Sequence, residues 1–177
     1  MQPPMNLVLA RLNALDTALC IRINRFNRER AVQRFFGTVS RLGDGVFWYG
    51  LMALLLILER EAALKPVLHM IVAGLVGFAL YKWLKRKTLR PRPGDLHTVI
   101  TRSTAPLDEF SFPSGHTLHA VTFSLVAIAY FPWLAPILLP FAVLVALSRI
   151  VLGLHYPTDV LAGAALGYGL ATLSFMF

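Results

Sequence analysis

The stretch FSFPSGHTLHA, residues 110–120, places a proline, two small residues and a histidine at the start of a long apolar run. Ser114 is a good N-cap for a helix, and the following Gly115 lets a ligand approach the backbone closely. The free N–H groups and the dipole at such a helix start bind anions. We therefore predict a membrane helix that begins near Ser114 and offers its N-terminus to an anionic group, such as a phosphate, at the membrane surface.

Apolar blocks on both sides of this stretch predict an all-α integral membrane protein. The chain has 177 residues, and 56% of them are hydrophobic, compared with about 45–50% in soluble domains. A soluble core of this size could not bury so many apolar blocks. We predict one domain, residues 1–177, that forms a helical bundle of about five transmembrane helices. The predicted spans are 46–58 (extended at its start by Leu42 and Gly43), 66–83, 114–130, a fourth from the turn at 131–135 to about 150, and 157–177.

Residues 1–42 are predicted to form an amphipathic segment in the membrane interface. A full span is not expected there because Arg11, Asp16 and Arg22 would lie inside it. A cleavable signal peptide is not recognisable in this segment either. Apolar residues at three- and four-residue steps give the pattern of an interfacial helix. These residues are Leu12, Leu15, Leu19, Ile23 and Phe26.

The charge of the chain indicates contact with anionic headgroups or phosphates. Lys and Arg number 17 against 9 Asp and Glu, which gives a net charge of +8. Because these cations stand beside apolar spans, we do not expect nucleic-acid binding. The long polar connection at 84–112 carries six of them and is predicted to be an active-site loop. Cys20 is a single cysteine, which excludes an intrachain disulfide and a cysteine-based zinc cluster, so neither a metal nor another cofactor is expected.

Three polar clusters stand at the ends of spans and, with five spans, on the same side of the membrane. They are KRKTLRPRP at 85–93, PSGH at 113–116, and SR at 148–149 followed by HYPTD at 155–159. Pro157 suits the first turn of the last helix, so the carboxylate of Asp159 can reach back toward His155. Such a pair fixes the tautomer of the imidazole and leaves its other nitrogen free to attack.

The remaining polar residues of these clusters have complementary roles. His116 is available as a separate acid for a leaving oxygen. Lys85, Arg92 and Arg149 can neutralise the charge of phosphoryl oxygens. Taken one at a time, the cations could be headgroup contacts and the histidine a helix cap. Their joint occurrence favours a catalytic site over these structural roles.

The patterns K-x6-R-P, P-S-G-H and S-R-x5-H-x3-D occur here complete and in this order. Together they resemble the three signature motifs of the type 2 phosphatidic acid phosphatase family, the membrane branch of a superfamily that includes vanadium haloperoxidases. The resemblance implies a metal-independent reaction in which His155 attacks phosphorus, Asp159 orients it and His116 protonates the leaving group. A phosphohistidine intermediate is then hydrolysed. The phosphate-binding residues implied are Lys85, Arg92, Ser114, Gly115 and Arg149.

The resemblance predicts a phosphatase for a lipid phosphate or pyrophosphate, with membrane lipids as its surroundings. Phosphatidic acid, phosphatidylglycerol phosphate, undecaprenyl pyrophosphate and lipid A phosphates remain open as substrates, and the oligomeric state is also open. A non-catalytic protein that binds anionic lipids is one alternative, and a vanadate-dependent haloperoxidase, normally soluble and larger, is another.

The side of the membrane on which the site lies is predicted from two opposing signals. Counting Lys and Arg favours the cytoplasm, whereas the family resemblance favours a bacterial inner membrane with the site facing the periplasm, which we adopt. Six-span family members also have a helix before the first span, where this chain offers the arginine-rich segment 1–42.

Overall fold

A computed structural model describes residues 7–106 and 108–176, and the regular elements in these residues are all helical. This confirms the prediction of an all-α chain. Short 3-10 turns join some of the helices at Arg25–Arg28 and Pro132–Leu134. The α-helices are α1 (Leu7–Asn24), α2 (Arg30–Arg41), α3 (Phe47–Glu59), α4 (Glu61–Thr88), α5 (Pro93–Leu96), α6 (Gly115–Tyr130), α7 (Ala135–Val151) and α8 (Pro157–Ser174).

Three helical stretches in the described part of the chain are long and apolar enough to cross a membrane. They are Arg30–Glu59, Glu61–Leu96 and Pro132–Val151. The helices α6 and α8 have 16 and 18 residues, or about 24 and 27 Å at 1.5 Å per residue. Those lengths approach the roughly 30 Å of a hydrocarbon core, and the count of five crossings stays a prediction.

The helix that carries the second predicted span, 66–83, extends beyond it at both ends. Pro66 lies inside α4, where it removes one backbone hydrogen bond without ending a helix that the surrounding bundle supports. At the other end α4 continues to Thr88, so Lys85 lies on a helix. The predicted active-site loop 84–112 therefore begins with helical residues, and α5 lies within it.

The helix α6 is central, since it packs against α4, α7 and α8. Gly163 and Gly167, one turn apart on α8, permit the closest of these approaches. A Cβ atom on either glycine would lie 2.5 Å from a backbone carbonyl oxygen of α6 or its N-cap residue. At the end of this contact the N–H of Ser114 donates to the carbonyl oxygen of Asp159 at 3.0 Å. Two of the three predicted clusters are thereby brought together.

A break at Leu42–Val46 separates α2 from α3 inside the first long helical stretch. Asp44 and Gly45 leave helical geometry there, and Gly45 has a φ of 126° that favours glycine. Gly43 packs directly against Val145 of α7. The predicted first span, 46–58, is therefore the second half of a longer helical stretch, and the break turns Asp44 toward the cluster side of the bundle.

The helix α1 packs on α7 and α8 with its polar face inward. Asp16, Cys20 and Asn24, at four-residue steps, are at most 3% exposed. The outer face carries exposed apolar residues of the predicted interfacial pattern, with Leu12 at 51% and Leu15 at 61%. Location in the membrane interface stays a prediction. The polar face of the helix is nevertheless covered by protein and not by water.

Candidate active site

The spacing between Arg149 and His155 is that of a Schellman turn at the end of α7. The N–H of Leu154 donates to the carbonyl oxygen of Arg149, and the N–H of Gly153 donates to that of Ile150, both at 3.0 Å. Gly153 has the φ of 72° that this motif requires. The N–H of His155 also donates to Arg149 at 3.0 Å. The helix end and the following histidine are thus fixed by one set of backbone bonds.

His155 lies two residues before the start of α8, and Asp159 lies in the first turn of that helix. One carboxylate oxygen of Asp159 accepts the N–H of Tyr156 at 2.8 Å, as the third residue of a helix does in a capping box. The same oxygen lies 3.6 Å from Nδ1 of His155. On the far side of the ring, Nε2 lies 3.3 Å from Nη1 of Arg92. A proton on Nδ1 therefore leaves a lone pair on Nε2, directed toward the arginine.

Lys85 and Arg92 meet at the carboxylate of Asp108, which the sequence analysis did not select. The Oδ1 atom of Asp108 accepts from Nζ of Lys85 at 2.6 Å and from Nη2 of Arg92 at 2.5 Å. Backbone carbonyl groups hold the same cations, since Lys85 donates to Phe110 at 2.8 Å and Arg92 donates to Leu154 at 2.6 Å. Both cations are fixed in direction, and Asp108 occupies donors that a phosphate would use.

Arg149 is the third cation of the group and is almost completely buried on α7. Its Nη1 atom donates to the hydroxyl oxygen of Ser40 on α2. This contact ties the first long helical stretch to the predicted phosphate-binding group. Ser40 gave no sequence signal, because one serine on an amphipathic helix is not distinctive.

His116 is the second residue of α6 and has a different environment. Its Nε2 atom lies 3.3 Å from Oδ1 of Asp44, the carboxylate at the break between α2 and α3. Ser114 occupies the predicted N-cap position, but its hydroxyl group lies 3.0 Å from the hydroxyl group of Thr117 and does not cap a backbone N–H. The N-terminus of α6 therefore has its backbone N–H groups directed toward the cluster side without a side-chain cap.

A cavity of about 460 Å³ opens at this cluster and extends between α3, α4 and α6. Asp44 and Asp108 line it together with six of the eight predicted site residues. Asp159 stands behind His155, and Ser114 is fully buried outside the lining. The predicted residues on the cavity wall are Lys85, Arg92, Gly115, His116, Arg149 and His155.

The charges around His155 determine its protonation. Burial, together with the nearby Arg149, Arg92 and Lys85, holds the pKa of the His155 imidazole well below its ordinary value. The ring is consequently neutral at physiological pH, as a nucleophile must be. Burial alone would raise the pKa of Asp108, but its contacts with Lys85 and Arg92 lower it below the ordinary value.

Two further residues behind Asp159 were also missed by the sequence analysis. Arg90 donates to the second carboxylate oxygen of Asp159 at 2.7 Å and to Asp16 of α1 at 2.6 Å. Arg90 belongs to the same basic run as Arg92, but the motif leaves its position unspecified. The sequence analysis used Asp16 only as a charged residue that makes a membrane span in residues 1–42 unfavourable.

Residues 62–177 match the model of the PAP2 superfamily, the same family that the three motifs resemble. The chain belongs to the PAP2 superfamily. Arg90 and the eight predicted site residues lie inside the matched region, whereas Asp16, Ser40 and Asp44 precede it.

Relatives of this PAP2 protein include named phosphatases. It is 28% identical to an undecaprenyl-diphosphatase of Sulfolobus acidocaldarius over 86% of this chain and 74% of the relative. It is 33% identical to the undecaprenyl-diphosphatase BcrC of Bacillus subtilis over 64% of this chain but only 58% of that relative.

A solved structure also resembles this PAP2 protein over nearly its whole length. It is the crystal structure of a transmembrane PAP2 type phosphatidylglycerolphosphate phosphatase from Bacillus subtilis. The TM-score is 0.71 at 25% identity, and the match covers 98% of this chain and 87% of the other. With three helical stretches of membrane-spanning length, this similarity supports an integral membrane protein.

Proposed function

We propose that this protein is a membrane phosphatase that hydrolyses a lipid phosphate or lipid pyrophosphate through a phosphohistidine intermediate. The observation that carries the proposal is the environment of His155. Its neutral ring has Nδ1 facing Asp159, at 3.6 Å, and Nε2 on a cavity wall beside Arg92. A nucleophile, its orienting carboxylate and a cationic phosphate site thus occupy one place.

In the first step, Nε2 of His155 attacks phosphorus, and the bond from phosphorus to the leaving oxygen breaks. His116 gives its proton to that oxygen, so a lipid phosphomonoester releases the lipid alcohol and a lipid pyrophosphate releases the lipid monophosphate. Asp159 stabilises the positive charge that develops on the imidazole ring. In the second step, water gives a proton to His116 and attacks the phosphohistidine, which releases inorganic phosphate and restores both histidines.

Lys85, Arg92 and Arg149 bind the phosphoryl oxygens in both steps. Each lines the cavity, and all three are at most 4% exposed, so their charges act in a site that water screens weakly. Asp108 shares Lys85 and Arg92 with the incoming phosphate, and the substrate must therefore compete with this carboxylate for the same donors. No group of three His, Cys, Asp or Glu side chains suited to a metal ion occurs in the described residues, and the metal-independent reaction stays a proposal.

The lipid part of the substrate is proposed to follow the apolar half of the cavity. This half lies between α3 and α4, so a chain can remain among membrane-facing helices while its phosphate reaches the cations. The named relatives act on undecaprenyl diphosphate and on phosphatidylglycerol phosphate, which have different leaving groups. The proposed substrate is therefore the class that includes both compounds, a lipid phosphate or lipid pyrophosphate. The apolar lining residues include Trp48, Tyr49, Met52, Leu75 and Phe78.

The test is phosphate release by the purified protein from a panel of lipid phosphates in detergent, with EDTA in excess. We expect release from at least one lipid monophosphate or pyrophosphate, and loss of that release in His155→Ala. Binding of the same lipid by His155→Ala is expected to persist because the three cations remain. Turnover by His155→Ala at the wild-type rate, or a requirement for added metal, would contradict the mechanism. Lipid binding without turnover by the wild type would favour the non-catalytic alternative.

We further propose that the site faces the periplasm. Lys85, Arg92 and Arg149 serve the phosphate site, so they are poor indicators of a cytoplasmic side, and the family resemblance favours the outer face. The test uses Cys20→Ser with Ser103→Cys, a position exposed in the loop after α5, and a membrane-impermeant thiol reagent on intact cells. Labelling before lysis supports the proposal, and labelling only after lysis contradicts it. Serine at position 20 retains a donor for the carbonyl oxygen of His155, which Cys20 contacts at 3.8 Å.

A further inference from the structure

Asp16 on α1 is a buried carboxylate that reaches the catalytic end of the bundle from outside the family-matched region. Its side chain is 2% exposed. Its Oδ2 atom accepts from Nη2 of Arg90 at 2.6 Å and from the hydroxyl group of Thr158 at 2.5 Å, and its Oδ1 atom accepts the N–H of Thr158 at 3.0 Å. Because a buried carboxylate is costly unless it is paired, these bonds specify where α1 docks.

Arg90 connects this carboxylate to the proposed catalytic pair. Its Nη1 atom donates to Oδ1 of Asp159 at 2.7 Å, while Nη2 is used by Asp16. The guanidinium also lies over the ring of Tyr156, 4.2 Å from its centroid. A planar guanidinium group that is bound at both Nη atoms and stacked on one face has a fixed orientation. Arg90 thereby fixes one oxygen of Asp159 and leaves the other directed to Nδ1 of His155.

We infer that Asp16 is a positioning residue for the reaction, acting through Arg90 on Asp159 and so on His155; this inference rests on the proposed function. Without Asp16, the arginine is free to turn and pair with Asp159 through both nitrogens. That pairing would draw the carboxylate of Asp159 away from the imidazole of His155. It would also neutralise the carboxylate charge that stabilises the imidazolium. Sharing Arg90 between two carboxylates prevents this.

A second contact of Asp16 acts on the same carboxylate through the backbone. Thr158 is the second residue of α8, and its N–H is one of the donors that a helix start leaves without an intrahelical partner. Asp16 accepts this N–H and so anchors the turn that carries Asp159. Both routes from α1 end at the residue that orients the nucleophile.

The test is a double-mutant cycle on the purified full-length protein, with kcat and KM measured on a lipid phosphate that the wild type hydrolyses. Asp16→Asn and Arg90→Gln are each expected to lower kcat by about 10- to 100-fold, by analogy with the loss of residues that orient metal ligands through hydrogen bonds. KM is expected to change little because Lys85, Arg92 and Arg149 are unaltered. The double variant is expected to be no worse than the poorer single variant. Additive losses, or a rise in KM at unchanged kcat, would overturn the inference.

A matched control separates positioning from the docking of α1. Asn24 lies two turns further on the same buried face and bonds to the backbone carbonyl groups of Thr101 and Val151, both at 2.9 Å. Asn24→Ala loosens the docking without touching Arg90 and is expected to leave kcat within about threefold. A loss equal to that of Asp16→Asn would show that Asp16 only holds the helix in place.

If the Asp16→Asn protein cannot be produced in folded form, two variants that keep the charges test the same inference. Asp16→Glu retains the carboxylate and is expected to keep most of kcat. Arg90→Lys retains the charge but cannot span two carboxylates, so a loss of about tenfold is expected. Full activity of Arg90→Lys would overturn the inference.

His155→Ala, measured beside these variants, separates the inference from the proposed function. If the wild type shows no release that depends on His155, the proposed function fails. If release depends on His155 but Asp16→Asn equals the wild type, this inference alone fails.

Discussion

The two histidines of the site are held in opposite ways. The side chain of His155 is 1% exposed, with Asp159 facing one ring nitrogen and Arg92 facing the other. His116 is 12% exposed on the cavity wall, and its neighbour Asp44 is 43% exposed. A nucleophile must present one nitrogen in line with the bond that breaks, and rigid support serves this. An acid must follow a leaving oxygen that moves away, and a looser environment suits that role.

The two histidines also differ in where the residues that hold them come from in the chain. Asp159 and the turn before His155 come from neighbouring positions in the chain, which hold each other through backbone bonds. Asp44 comes from the break between α2 and α3, far from His116 in the sequence. The nucleophile is therefore expected to be sensitive to small changes near it, and the acid to be tolerant. The following variants test this difference in order of decreasing effect.

Asp159→Asn is expected to have the largest effect. The amide cannot stabilise a positive imidazole, and it can hold the ring in the wrong tautomer. By comparison with the orienting aspartate of serine proteases, kcat is expected to fall on the order of 10⁴-fold. Lipid binding, measured separately, is expected to persist. A loss below about tenfold would mean that the 3.6 Å separation from His155 does not close during the reaction.

His116→Ala is expected to have an effect that depends on the leaving group. General acid catalysis contributes about 10²- to 10⁴-fold when the leaving oxygen is basic, as in a lipid phosphomonoester. A lipid pyrophosphate expels a phosphate, which needs less protonation, so its loss is expected to be at least about tenfold smaller. The measurement is kcat on the two substrate types.

The control for this variant is His119→Ala. His119 also lines the cavity, but its Nε2–H donates to the carbonyl oxygen of Gly74 on α4 at 3.1 Å. Its replacement is expected to affect both substrate types equally. Equal losses for His116→Ala on both substrates would remove His116 from the role of acid.

The sequence was sufficient for the parts of this comparison that depend on local geometry. The x3 spacing from His155 to Asp159 predicted the first turn of α8, whereas the Schellman turn in the x5 spacing before His155 was not predicted. The bounds of α6 and α7 followed from Ser114 and the prolines near 132–136. Each of these features is determined by residues within about six positions of one another, where spacing and backbone chemistry predict structure.

The parts that depend on helix packing could not be predicted in this way. Asp16, Ser40 and Asp44 reach the site only because α1 and α2 dock on α7 and α8. A periodic pattern shows which residues of a helix share a face, but not what covers that face. The pattern of α1 predicted an amphipathic helix but gave no sign that its Asp16 would meet Arg90. Asp108 lay in the predicted loop together with Asp95 and Glu109, and nothing in the sequence indicated which acidic residue would pair with which cation.

Asp108→Asn tests the cations beside His155. Because the pKa of Asp108 is lowered, its carboxylate stays charged at any pH above its ordinary titration range, and its competition with phosphate persists there. Lys85 and Arg92 keep their backbone acceptors in the variant. We expect inorganic phosphate to inhibit the variant about tenfold more tightly than the wild type, a difference of about 1.4 kcal/mol. This ratio between variant and wild type is expected to change little between pH 6 and about pH 8.

The matched control for this variant is Asp95→Asn, in the same region of the chain. Asp95 pairs with Arg102 at 2.5 Å, and their side chains are 42% and 34% exposed. Its loss is expected to leave phosphate inhibition unchanged. Weaker inhibition in Asp108→Asn would mean that Asp108 orients the cations more than it competes for them.

Asp44→Asn is expected to have the smallest effect, because an exposed ion pair contributes roughly 0 to 1 kcal/mol. We expect kcat on a lipid phosphomonoester to fall by about two- to fivefold, and kcat on a lipid pyrophosphate to change less, because Asp44 acts only through His116. In a His116→Ala background the same substitution is expected to add nothing, since the proton that it assists is absent. A loss greater than about 100-fold, or a loss that persists without His116, would show that Asp44 supports the site as firmly as Asp159 does. The contrast between a rigid nucleophile and a loosely held acid would then be wrong.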